Sequence, residues 1–185
     1  PTLTFNASSS TLTYSGLAQD IGTISYTGDG NFSYVVSTST TAPSTGWTDA
    51  SSGTTIKSSA ATAATYYVYL KSTAGTNYKA VSAASKGSKA IGKKAVTVTA
   101  DSATQTYNGS ALSKSTFTNT ALVSGHVITC SVTGSITNVG SANNVPSAAK
   151  IVSGSTDVTA NCWWNDHGQS TVGSWVAKGD GGSIW

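Results

Sequence analysis

The chain has 185 residues, of which 9% are charged, and its formal net charge is +3; an ordinary soluble domain carries about 25% charged residues. There is no Glu, Arg or Met, and Ser plus Thr number 61, about a third of the chain. This composition excludes long surface helices, which β-branched Thr and turn-forming Ser and Gly disfavour; it offers no apolar run long enough to span a membrane, so no membrane insertion is expected; and its scattered lysines, without arginine, make no nucleic-acid footprint.

In chain order, the first patterned segment is Leu3 to Ala18, and it recurs at Val96 to Ala111, an offset of 93 residues. Thr4, Ala7, Ser9, Thr11, Thr13, Tyr14, Gly16 and Ala18 are identical to Thr97, Ala100, Ser102, Thr104, Thr106, Tyr107, Gly109 and Ala111. Apolar positions match too, Leu3 with Val96 and Phe5 with Val98. Such a match predicts two copies of one module joined near Ile91-Gly92, giving domains 1–91 and 92–185, with the lysine-rich stretch Lys86 to Lys94 as the connection.

Within each copy the period is two. Tyr66 to Leu70 is a dense aromatic and β-branched run that reads as a strand buried on both faces or lying near an edge aromatic patch. Val96 and Val98 alternate with Thr97 and Thr99, and Ile128, Cys130 and Val132 alternate with Val127, Thr129 and Ser131. Turn signals separate these runs at Gly28 to Asn31, Ser52-Gly53, Ala74 to Asn77, Asn108-Gly109 and Ser124-Gly125. The expected fold is all-β: two tandem antiparallel Ig-like β-sandwiches, each of about seven strands.

Several of these residues carry a family resemblance. Tyr14-Ser15-Gly16-Leu17-Ala18 and Tyr107-Asn108-Gly109-Ser110-Ala111 resemble the Y-x-G-x-A opening of MBG-type bacterial Ig-like repeats. Ala64-Thr65-Tyr66-Tyr67-Val68 resembles their late G-T-Y-x-V strand, with Ala64 in place of Gly. Val132-Thr133-Gly134 through Val139-Gly140 and Asp157-Val158-Thr159-Ala160-Asn161 resemble two further segments of the repeat. The likeness covers residues 1 to 161 and implies Ig-like folds displayed outside the cell, on a bacterial surface or a phage virion. It implies no single function, because Ig-like sandwiches host many.

The C-terminus departs from the repeat. Four of the five tryptophans and one of the two histidines fall in the last 23 residues. Aromatic, Asn and His side chains together are the chemistry of recognition surfaces. The expected ligand-binding residues are Trp163, Trp164, Asn165, Asp166, His167, Gln169, Trp175 and Trp185, in a segment of about 161–185. The competing structural reading puts part of these tryptophans in the core and makes Val172 to Trp175 a closing strand. The segment also resembles the variable regions written by diversity-generating retroelements. That resemblance implies hypervariable exposed positions at Trp163, Asn165, Asp166, His167 and Gln169, with Gly173, Ser174, Gly181 and Gly182 as scaffold.

The expected partner is a surface protein or a glycan, and the alternatives are a structural spacer of an adhesin or a carbohydrate-binding module. No enzyme, cofactor or metal is expected. Asp166, His167 and Ser170 have the residue types of a hydrolase triad but crowd together without a nucleophile elbow. Asp29-Gly30-Asn31 lacks the further acidic ligands of a calcium loop. An intramolecular Lys–Asn isopeptide bond would lack its usual Glu catalyst. The Asn-x-Ser sites at Asn6, Asn31 and Asn108 carry no meaning in a bacterial or phage setting. Cys130 and Cys162 fit no zinc spacing and leave two readings, a disulfide or two thiols. The Ig-like resemblance would set them on facing sheets as an inter-sheet bridge, or make Cys162 a reduced substitute for a core Tyr. Pro1 and the missing Met mark the sequence as a fragment or processed product.

Overall fold

The computed structural model describes residues 1–164 and 173–178, the latter and Trp164 by their backbone. The described chain is all-β, apart from one 3₁₀ turn. It divides into two compact units, Pro1–Lys94 and Ala95–Trp185.

The first unit is built from β1 (Thr2–Ala7), β2 (Leu12–Thr13), β3 (Asp20–Thr27), β4 (Phe32–Ser37), β5 (Thr48–Ala50), β6 (Thr55–Lys57), β7 (Thr65–Ser72) and β8 (Val81–Gly92). One sheet has the order β1-β3-β6 and the other β2-β8-β7-β4-β5. Neighbours are antiparallel except β2 and β8, which run parallel with Leu12 opposite Ile91. The period-two pattern explains the layers. Leu3 and Phe5 of β1, Ile21 and Ile24 of β3, and Ile56 of β6 face Phe32, Tyr66, Val68, Leu70 and Ile91 of the other sheet. Burying each such side chain contributes about 1.5–3 kcal/mol. Tyr66 brings a hydroxyl into this core and satisfies it on Thr62 Oγ1 (2.7 Å), Ala60 O (2.9 Å) and Thr62 O (3.0 Å).

Gly22 makes this packing fit. A Cβ there would collide with Asn6 O and the Phe5 ring, and its backbone stands at φ +158°, where β3 shifts register against β6. The stretch Lys86 to Gly92, expected as a connection, is instead the last part of β8. It pairs Lys89 with Tyr66 and Ala90 with Thr65. Lys86 and Lys89 are half-buried there, Lys89 Nζ donating to Ser8 O (2.6 Å), and Ile91 is buried, so a charged run and a strand occupy the same residues.

The outer face of the larger sheet is also partly covered. Val35 and Tyr69, directly paired across β4 and β7, are 8% and 3% exposed although they alternate with the core residues. The loop of residues 38–47 lies over them. Tyr69 Oη donates to Ser39 O (2.9 Å), and Trp47 Nε1 donates to Pro43 O (3.1 Å). Lys71 Nζ sits 4.2 Å above the Trp47 ring centroid.

The second unit contains β9 (Lys94–Val96), β10 (Val98–Ala100), β11 (Ala103–Thr106), β12 (Leu112–Ser113), β13 (Phe117–Asn119), β14 (His126–Thr133), β15 (Ser135–Ile136), β16 (Gly140–Ser153), β17 (Thr156–Asp157), the 3₁₀ turn η1 (Thr159–Asn161), β18 (Cys162–Trp164) and β19 (Gly173–Lys178). Its main sheet has the order β11-β19-β16-β14, with short pairs β10-β13, β12-β15 and β9-β18 beside it. The long strand β16 pairs β19 through Gly140–Asn144 and β14 through Val145–Ser153. A bulge at Cys130 interrupts the second ladder, opposite Ala148 at φ 49°.

The aligned residues of the two units occupy like places in several cases. Leu3 and Val96, and Phe5 and Val98, are buried on strands; Gly16 and Gly109 are left-handed at φ 75° and 81°. β2 and β11 each run parallel to the last described strand of their unit. Tyr14 and Tyr107 differ, at 4% and 46% exposed.

Candidate functional site

The approach to the C-terminal segment is fixed by backbone hydrogen bonds. Thr159 Oγ1 accepts from Ile151 N (2.9 Å) and lies 3.3 Å from Ile151 O, to which it donates. Val158 N donates to the same carbonyl at 2.9 Å, and Asn161 N donates to Val158 O at 2.9 Å, closing η1. Thr159 N donates to Asp157 Oδ1 (3.0 Å). That bond, with the Thr159 side chain and Lys150 Nζ 3.8 Å from Oδ2, holds the Asp157 carboxyl below the usual carboxylate range. Ile151 and Val158 are buried beneath this turn.

From this anchored turn the chain enters β18, which pairs with β9. Alternation sends Cys162 inward, 6% exposed, and Trp163 outward, 64% exposed. A large flat indole is thus offered to solvent on a strand whose neighbour is core. Trp164 closes β18. Trp175 lies in β19, with its backbone opposite both Ala103 and Ala142, so it occupies an interior strand rather than a loop. The side chains of Trp164 and Trp175 lie outside the described residues, as do Asn165, Asp166, His167, Gln169, Ser170 and Trp185 in full.

Cys130 and Cys162 both stand as thiols. Cys130 Sγ donates to Ser147 O at 3.2 Å across the bulge, and burial pushes its thiol pKa up. Asn144 is a buried polar residue that the sequence did not single out. It is fully enclosed, and its Nδ2 donates to Asp101 O (2.9 Å) and Lys114 O (3.0 Å), tying two loop ends to β16. Among the described residues no three of His, Cys, Asp and Glu converge to hold a metal, and no helix is long and apolar enough to cross a membrane.

Comparison with family models, with curated proteins and with solved structures finds no match to this chain.

Proposed function

We propose that the chain is a non-enzymatic binding protein displayed on a bacterial surface or virion. In this reading two Ig-like sandwiches carry a recognition surface formed by residues of about 161–185. The observation that carries the reading is Trp163, 64% exposed on a strand anchored by η1 and followed directly by the Trp-, Asn- and His-bearing segment. A tryptophan buries 150–250 Å² when it packs, and at 64% exposed Trp163 offers much of that area to a partner. Indole is also the side chain most enriched among residues that dominate binding energy. The partner is a surface protein or a glycan, and the segment is diversified by a retroelement.

A second reading, the structural spacer, draws on β19. Trp175 has its backbone paired on both sides, which suits a residue recruited to close a sheet. The two readings separate on population sequencing of the codons for 161–185. A diversified binder predicts substitutions concentrated at Trp163, Asn165, Asp166, His167 and Gln169, sparing Gly173 and Ser174. A low, even rate along the whole chain overturns diversification and favours the spacer.

A further inference from the structure

The loop between β4 and β5 has two sides with different chemistry. Its inner side is clamped to the sheet by Tyr69, Trp47 and Lys71. Its outer side presents Ser37-Thr38-Ser39-Thr40-Thr41-Ala42-Pro43-Ser44-Thr45. Ser39, Thr40, Thr41, Ser44 and Thr45 are exposed. Ser37 Oγ and Ser39 Oγ accept from the N–H groups of Ser39 (3.0 Å) and Thr41 (3.1 Å), curling the entry to the loop. Among the described residues, the hydroxyls of Thr40, Thr41, Ser44 and Thr45 make no hydrogen bond. Some loop hydroxyls of the unit are engaged: Ser52 Oγ is bonded to Tyr26 O and N, and Ser58 Oγ to Ala60 O and Gln19 N.

The run has a composition of its own. Pro43 is one of three prolines and the one set inside a Ser/Thr run. Ser/Thr-rich sequence with Pro is the composition of O-glycosylated stalks. Pro43 fixes φ and lacks an N–H, so it can give no ladder hydrogen bond to the sheet beside it. No charged residue occurs from 30 to 48, and the nearby Lys71 is already committed to the Trp47 ring. A phosphate there would have no cation to meet, whereas a neutral sugar needs none.

We propose that this loop is a site of O-linked glycosylation, at Thr40, Thr41, Ser44 and Thr45. The donor is a nucleotide sugar. The hydroxyl oxygen bonds to the anomeric carbon as the bond from that carbon to the diphosphate oxygen breaks; the hydroxyl proton passes to a base of the transferase, and the nucleoside diphosphate leaves. The clamps hold the loop against Val35 and Tyr69, so the sugars project from a fixed base. They stand beside β5, the short edge strand of the larger sheet, and shield that edge from pairing with another chain.

The test is mass spectrometry of the chain purified from the cells that make it, with site mapping by electron-transfer fragmentation. The comparison variants, expressed in the same cells, are Thr40→Ala/Thr41→Ala/Ser44→Ala/Thr45→Ala and a control, Ser9→Ala/Ser10→Ala/Thr11→Ala, in another exposed hydroxyl run. The proposal predicts hexose or N-acetylhexosamine increments on 40–45, released by mild alkali, lost from the first variant and kept in the control. Trp47 fluorescence should be the same in both variants, showing that the clamp survives. An unmodified loop, phosphate increments, or sugars mapping elsewhere would overturn it.

Discussion

The two units bury different sets of residues among those described. Pro1–Lys94 closes two sheets around Leu3, Phe5, Ile21, Ile24, Phe32, Ile56, Tyr66, Val68, Leu70 and Ile91, and then covers part of its outer face with the loop over Val35 and Tyr69. Among the described residues, Ala95–Trp185 buries a smaller set, chiefly Val96, Val98, Ala100, Leu112, Ile151, Val158 and Cys162, and relies on the polar Asn144 to tie its ends. Its strand β14 alternates half-buried with exposed residues and buries none of them. The lesson concerns where function can be loaded. The first unit buries Phe5, Tyr14, Phe32, Tyr66 and Tyr69 and leaves Tyr78 42% exposed, whereas the second unit leaves Trp163 64% exposed just after a turn tied by Thr159 and Ile151.

That comparison can be broken most forcefully in the first core. Phe5→Ala should cost about 3–5 kcal/mol, because the ring fills the space left by Gly22 and the surrounding strands cannot collapse into it. Chemical denaturation read through the tyrosines of that unit measures it; a cost below about 1 kcal/mol would mean that the core is looser than its burial implies.

In the second unit the sensitive residue is polar. Asn144→Ala leaves the carbonyls of Asp101 and Lys114 without their donor and should cost about 1–3 kcal/mol. Amide exchange along β16 would rise selectively. Thr159→Val, which removes the hydroxyl serving both polar groups of Ile151, should cost about 1 kcal/mol and loosen η1.

The smallest effect is acid-dependent. The Asp157 pKa is lowered in the folded chain, so ionised Asp157 favours folding. Its contribution is present above the unfolded carboxylate value, about 3.9, and is lost as pH falls through the lower folded value. Asp157→Asn should therefore weaken stability slightly above about pH 4 and leave it unchanged at the acid end. A pH series of thermal unfolding checks the sign, and a penalty confined to the acid end would contradict it.

Part of this was legible in the sequence, for identifiable reasons. Leu3, Phe5, Val96 and Val98 alternate with Thr, and strand alternation follows from backbone geometry alone. The turn signals at Gly28 to Asn31, Ser52-Gly53 and Ser124-Gly125 all fall between strands. Lys86 to Gly92 misled because half-buried lysines within a strand, one of them bonded to Ser8 O, look like a linker when only charge is read. The loop over Val35 and Tyr69 was hidden because its anchor joins residues 30 positions apart. Tyr14 and Tyr107 sit in matching motifs with opposite burial, a difference of packing that no local pattern encodes. At the candidate site, the richness in aromatics was plain, but that Trp163 faces outward depends on which residue of β18 enters the core.

The central claim is that this outward tryptophan serves a partner rather than the fold. The most direct measurement is binding of the fluorescently labelled chain to immobilised glycans and to intact bacterial cells, comparing wild type with Trp163→Ala. The account predicts that Trp163→Ala changes stability by no more than about 0.5 kcal/mol and yet abolishes the binding seen with wild type. Binding undiminished in Trp163→Ala, or a loss of binding that tracks unfolding, would contradict it.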